Sequence, residues 1–235
     1  MHSILVTDLC KSLGDFALDH VSFQVPQGRI VGVIGENGAG KSTTINLILN
    51  ELNPDAGKVE ILGKSSYQYT ARNDVGVVFD ECNFHDVFTA KMVGKMLSGV
   101  YSSWDDKLYH HYLKRFEIPE KQPIGSFSKG MKMKLSIVCA LAHSPKLLIL
   151  DEATSSIDTR TEIRIQKAFA KMMQGRTSFI VAHRLSTIQE ADVILVMKDG
   201  KIIEQGKHEE LLAKKGFYAN LYESQFVNTS TEAEG

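Results

Sequence analysis

Gly35-Glu36-Asn37-Gly38-Ala39-Gly40-Lys41-Ser42-Thr43 is a complete phosphate-loop sequence, G-x-x-x-x-G-K-[ST], and its context matches its letters. The stretch Arg29-Ile30-Val31-Gly32-Val33-Ile34 reads as a buried strand entering the loop. Residues 43–52 read as the helix leaving it, with Ile45, Ile48, Leu49 and Leu52 on one side. The spacing has a chemical reason. Glycines let successive backbone N–H groups curl into an anion-binding nest. The helix adds free N–H groups and the positive end of its dipole. Lys41 can reach β- and γ-phosphates, and the Ser42 hydroxyl can ligate Mg²⁺. Gly35, Asn37, Gly38, Ala39, Gly40, Lys41, Ser42 and Thr43 are therefore the expected nucleotide-binding residues.

The chain has 235 residues and a hydrophobic fraction of 43%, which suits an α/β domain with its own core. Its formal net charge of −1 argues against a polyanion-binding surface, so no nucleic-acid partner is expected. Cys10, Cys82 and Cys139 are far apart and form no C-x-x-C pair, which favours reduced thiols over a disulfide framework or metal site. The N-terminus lacks signal-peptide character, and no apolar run approaches the ~18–20 residues of a bilayer span. The expectation is a soluble, cytosolic chain; any membrane part belongs to another chain.

In chain order, residues 4–6, 21–25, 58–63 and 75–79 have strand character. From Asp80 the pattern turns helical. Met92, Val93, Met96, Leu97 and Val100 fall at helical spacing, as do Leu108, Tyr112 and Phe116. These methionines and aromatics are expected to form the core of a small helical unit. A further helix spans about residues 131–142. Leu147-Leu148-Ile149-Leu150 is then a fully buried parallel strand. Asp158 can cap a helix with Ile165, Phe169, Met172 and Met173 on one face. Residues 177–182 form another buried strand ending at His183, and Lys198-Asp199-Gly200 signals a hairpin. A helix over about 209–214 stops at Gly216, and the tail from Val227 to Gly235 is expected to be disordered.

The strand at 147–150 delivers Asp151 and Glu152 to its carboxyl end, where ligands bind in open α/β sheets. Asp151 suits Mg²⁺ coordination, directly or through water, and Glu152 can polarise an attacking water. Adjacent acids at a strand end can also be merely solvated or cap a helix. His183 can contact a γ-phosphate, although a lone histidine is more often structural.

This ordered set resembles the nucleotide-binding domain of ATP-binding cassette (ABC) transporters, over about residues 4–226. Residues 35–43 look like its Walker A, and 147–152 like its Walker B with Glu152 as catalytic glutamate. Ser155-Ser156-Ile157-Asp158 looks like the D-loop and His183 like the switch histidine. Phe127-Ser128-Lys129-Gly130-Met131 sits where the family carries L-S-G-G-Q. The resemblance implies an α/β P-loop NTPase fold: a RecA-like core, an antiparallel β-subdomain (together residues 1–79 and 140–226) and a helical subdomain (80–139). It implies ATP and Mg²⁺ as ligands and a head-to-tail homodimer with a second ATPase domain. Ser128 and Gly130 would reach the γ-phosphate across that interface. It also implies a separate transmembrane subunit met by the helical segment, and a cytoplasmic place at the inner face of the cell membrane.

Three departures stand out. Lys129 and Met131 replace Gly and Gln of the signature. Asp80, followed by Glu81, replaces the Q-loop glutamine, and an acid there can still serve the metal. Leu13 stands where an adenine-stacking aromatic is expected, with Phe16 as the nearest substitute or as plain packing.

The two halves resemble different branches. Up to about Leu150 the chain is similar to stand-alone bacterial drug and antibiotic exporter ATPases. From about Asp151 it is similar to ATPase domains fused to their membrane half. An engineered chimera joined between Leu141 and Thr154 is one reading, and a natural mixture the other. Two competing functions stand beside an exporter ATPase: a nucleotide-binding scaffold with little hydrolysis, and a non-transport ABC ATPase acting on ribosomes or DNA. The second usually carries two cassettes or a long coiled-coil insertion, and neither is present.

Overall fold

The computed structural model describes residues 1–68, 73–79, 82–151, 173, 175–182 and 184–231. Contacts divide the chain into two compact units, Met1–Gln68 with Thr177–Gly235, and Tyr69–Arg176.

The first unit holds two sheets. One is antiparallel, in the order β2-β1-β4-β5, from β1 (His2–Leu13), β2 (Phe16–Pro26), β4 (Ala56–Ile61) and β5 (Lys64–Ser65). The β1–β2 turn is the two-residue Gly14-Asp15, closing on the pair Leu13 and Phe16. The other sheet is built on β3 (Ile30–Gly35), which runs parallel to both β8 (Thr177–Val181) and β9 (Val193–Lys198). Burial on both faces explains the unbroken apolar run: Val31 and Val33 on one face and Ile34 on the other are all buried. The last strand, β10 (Lys201–Gly206), returns antiparallel to β9 through the expected Asp199-Gly200 turn. Both turn residues have positive φ, 47° and 75°, the pattern that matches strand twist.

Helix α1 (Lys41–Ile48) packs on β3, β4 and β8. It starts two residues before the expected Thr43 and stops well before Leu52. Gly40 forms the N-cap, and Asn50, at φ 56°, turns the chain out of the helix. Near the end of this unit come α5 (His208–Ala213) and α6 (Phe217–Thr231). Lys215, at φ 53°, rather than Gly216, takes the left-handed conformation after α5. The Glu204 carboxylate accepts from the N–H groups of Phe217 and Tyr218, at 2.6 and 3.1 Å, and so caps α6 from β10. Helix α6 carries the backbone to Thr231, past the expected start of the tail at Val227.

The second unit pairs β6 (Val75–Val78) in parallel with β7 (Leu147–Asp151). Its helices among the described residues include α2 (Ala90–Ser98), α3 (Asp106–Arg115) and α4 (Lys129–Leu141). Each has a side-chain N-cap: Thr89, Asp105 and Ser128. They enclose a core centred on Tyr109, with Val93, Leu113, Ile124, Phe127, Leu135 and Val138. The Tyr109 hydroxyl donates to the Ala90 carbonyl at 2.7 Å.

This core differs from the expected one. Met92, Met96 and Val100 are 53%, 45% and 54% exposed, so they are not core residues. The inward stripe of α2 is Ala90, Val93, Gly94 and Leu97, at the i, i+3, i+4, i+7 spacing. Gly94 belongs to it because a Cβ there would lie 2.5 Å from the Tyr109 ring. A pattern of apolar side chains cannot register a glycine that makes room for an aromatic.

Candidate functional site: the phosphate loop

Strand β3 ends at Gly35 and α1 begins at Lys41, so residues 36–40 form the loop between them. Gly38 and Gly40 have φ of 83° and 102°, conformations that a Cβ disfavours. At Gly40 the restriction is double. A Cβ there would lie 2.9 Å from Cζ of Phe16 and 3.0 Å from Cδ1 of Leu18. Gly35 is closed against the Met197 backbone carbonyl in the same way.

The Lys41 side chain is only 5% exposed. Its ammonium donates to the carbonyls of Gly35 and Glu36, at 2.8 and 2.9 Å, and so lies folded along the loop. Ser42 follows on the exposed side of the first helical turn, with Thr43 half-buried. Asn37 is exposed at the loop tip and Ala39 is buried beneath it. Thr44, which the motif does not single out, donates its hydroxyl to Gly40 O at 2.8 Å and fastens the cap. Nothing in a G-K-S-T-T string distinguishes that second threonine.

These residues suit a polyphosphate and its cation. Backbone N–H groups line a turn that only glycine forms easily, the N-cap Gly40 makes no side-chain hydrogen bond to the helix, one ammonium lies beside it, and one hydroxyl is exposed. Phe16, half-buried at the start of β2, stands beside the loop through its contact at Gly40.

In the second unit, Asp151 ends β7 and is half-buried. Ser128 is the N-cap of α4, its Oγ accepting from Met131 N at 3.2 Å, and Gly130 is buried in the first turn. One helical turn further on, Lys132 pairs with Asp86 at 2.9 Å and holds that carboxyl below the usual carboxylate range. Glu152, His183, Asp80, Glu81, the stretch Ser155-Ser156-Ile157-Asp158 and the helix expected after Asp158 up to residue 172 lie outside the described residues. No helix among the described residues is long and apolar enough to cross a membrane.

The mixed α/β fold, with its parallel and antiparallel sheets and its phosphate loop, defines a P-loop nucleotide-binding domain. The sequence profile of the ABC transporter family matches residues 18–155. The chain belongs to the ABC transporter family and is an ABC-type ATPase domain.

Its relatives include an uncharacterized ABC transporter ATP-binding protein, YfiC, of Bacillus subtilis. That protein is 40% identical over 228 residues, covering 91% of this chain and 37% of YfiC. The ATP-dependent lipid A-core flippase of Aromatoleum aromaticum is 37% identical, covering 93% of this chain and 38% of the flippase. The chain thus spans little more than a third of the length of these relatives. Among solved structures, a bacterial Atm1-family ABC exporter with ATP bound superposes with a TM-score of 0.80 at 30% identity. The match covers 95% of this chain and 42% of the exporter chain. An ATP-binding subunit of an ABC transporter gives a TM-score of 0.80 at 25% identity, covering 92% of this chain and 94% of the subunit.

Proposed function

We propose that this domain binds Mg²⁺·ATP at residues 35–43, pairs head to tail with a second copy, and hydrolyses ATP to power a membrane exporter. The observation that carries the reading is the phosphate loop itself: glycines at positive φ, Lys41 laid along the turn, and Ser42 exposed at the head of α1. Ser42 and Asp151 would hold Mg²⁺, with Asp80 as a further ligand. The bound metal supplies positive charge that offsets charge developing on the transferred phosphoryl group. The chain's own residues position and stabilise. Lys41 holds the phosphates, Phe16 offers a ring for the base, Glu152 orients or deprotonates the attacking water, and His183 senses the γ-phosphate. Ser128 and Gly130 present the start of α4 to the partner copy's nucleotide.

An exporter role is supported by the relatives above, two of which are exporter or flippase proteins. A membrane-embedded partner, and with it a place at the inner face of the membrane, is supported by the exposed Met92 and Met96, one turn apart on α2, and the exposed Val100 just beyond its end. The chimera reading rests on the motifs on either side of residues 141–154. A single natural gene encoding all 235 residues overturns it.

The deciding experiment is ATP turnover against protein concentration, with Glu152→Gln as control. Turnover per molecule that rises with concentration and collapses in the variant is expected. A folded protein whose melting responds to nucleotide, with no turnover above the Glu152→Gln background, would make it a binding scaffold instead.

A further inference from the structure

We propose that Cys10, Asp19 and His20 form a surface site for a borderline-soft divalent metal ion of the Zn²⁺ type, apart from the phosphate loop. The three residues offer a thiol sulfur, a carboxylate oxygen and an imidazole nitrogen, all within 4.8 Å of one another.

Strand register explains how adjacent residues converge. Between β1 and β2 the pairing passes from Leu9 opposite Val21 to Lys11 opposite Leu18. One residue of β1, Cys10, therefore faces two of β2, Asp19 and His20. That is a bulge, and it re-aims side chains that would otherwise alternate between faces. His20 stands at φ 49°, a left-handed conformation that is strained for a non-glycine residue. In this conformation its N–H donates to Cys10 Sγ at 3.4 Å, which fixes the sulfur beside the turn.

The second layer is also built. Asp19 Oδ2 pairs with Lys201 at 2.8 Å, while Oδ1 faces His20 Nε2 at 3.9 Å. Lys201 thus fixes the carboxylate and leaves the oxygen nearer the imidazole to bind. Outer partners of this kind orient ligating groups. Cys10 Sγ also approaches Asp8 O at 3.5 Å. Cys10 and Asp19 are half-buried and His20 is exposed, beside an open cleft of 610 Å³ between β2 and β10 that admits ion and water.

Sulfur, nitrogen and oxygen together suit tetrahedral Zn²⁺, with water as fourth ligand, better than Mg²⁺ or Ca²⁺, which take oxygen. Bond lengths of ~2.0–2.3 Å place tetrahedral ligand atoms about 3.5 Å apart. Closing the cluster therefore needs about 1 Å of contraction, within reach of rotation at the exposed His20 ring.

Co²⁺ serves as a spectroscopic probe. Chelator-treated, reduced protein is titrated with Co²⁺ and read by the thiolate-to-cobalt absorption band. The expected result is a band that saturates at one equivalent and is bleached by Zn²⁺. It is absent in Cys10→Ser and unchanged in Cys82→Ser. Binding weakens about tenfold or more in Asp19→Asn and His20→Asn. Asparagine tolerates positive φ, so His20→Asn keeps the turn and its metal-free melting temperature. ATP binding should be the same in every variant, which separates this site from the phosphate loop. No cobalt–thiolate band, or a band that survives Cys10→Ser, overturns the proposal.

Discussion

The Phe16 ring stands where a side chain on Gly40 would have to go, with Cζ 2.9 Å from the position of the missing Cβ. This one contact ties the start of β2 to the head of α1. Gly40→Ala must move Phe16 and also hold alanine at φ 102°. The expected result is a stability loss of about 1–3 kcal/mol and ATP affinity down tenfold or more. Thermal melting and fluorescent-nucleotide titration check both. Phe16→Ala should leave stability nearer wild type while lowering affinity for ATP more than for inorganic triphosphate, because only ATP carries a base to stack.

Lys41→Ala removes the ammonium that spans the loop carbonyls. ATP binding should fall at least tenfold, and turnover with it. Glu152→Gln should retain binding and lose turnover. Titration and steady-state phosphate release on both proteins separate the two roles.

Ser128 has a structural role independent of any partner, as the cap of α4. Ser128→Ala should cost about 1 kcal/mol in denaturant unfolding. Ser128→Asp restores a capping oxygen, so stability should return. Turnover should not return, because a carboxylate facing a partner's γ-phosphate adds like charge. Recovery of turnover with stability would confine Ser128 to capping.

The buried Tyr109 hydroxyl gives a stability prediction. Tyr109→Phe leaves the Ala90 carbonyl without this donor and should cost about 1–3 kcal/mol. Gly94→Ala should cost a similar amount by pressing a methyl group against the ring. Chemical denaturation of both variants tests this.

His143 supplies a pH dependence. Its Nε2 donates to Val75 O at 3.1 Å and its ring stacks on Tyr101, with centroids 4.1 Å apart. Burial pushes its pKa below the ordinary imidazole value of 6.5. The unfolded chain therefore binds this proton more readily than the folded one. Stability from neutral His143 is fully present above pH 6.5 and is lost as pH falls from there through the lowered folded value. His143→Gln should flatten that part of the unfolding profile.

Legibility differed by element. The phosphate loop, the strand before it, the Asp199-Gly200 hairpin and the Leu147–Asp151 strand could be read because each is local: a few consecutive residues set both conformation and chemistry. The α2 face misread at Met92 and Met96 was not local. There the inward side is chosen by Tyr109 pressing on Gly94, and apolar spacing alone weighted the methionines. The cap on α6 from Glu204 was hidden for the same reason, since the carboxylate and the N–H groups it serves sit on separate elements.

The sequence by itself determined the α/β class, the nucleotide-binding loop and the family, because glycine spacing, strand runs and motif order are written in consecutive residues. Tertiary structure alone decided what lies beside the loop and across the hairpin. It set Phe16 against Gly40, and through the β1–β2 bulge it brought Cys10 to Asp19 and His20. Both depend on strand register, which one extra residue changes and which no local pattern in this chain records.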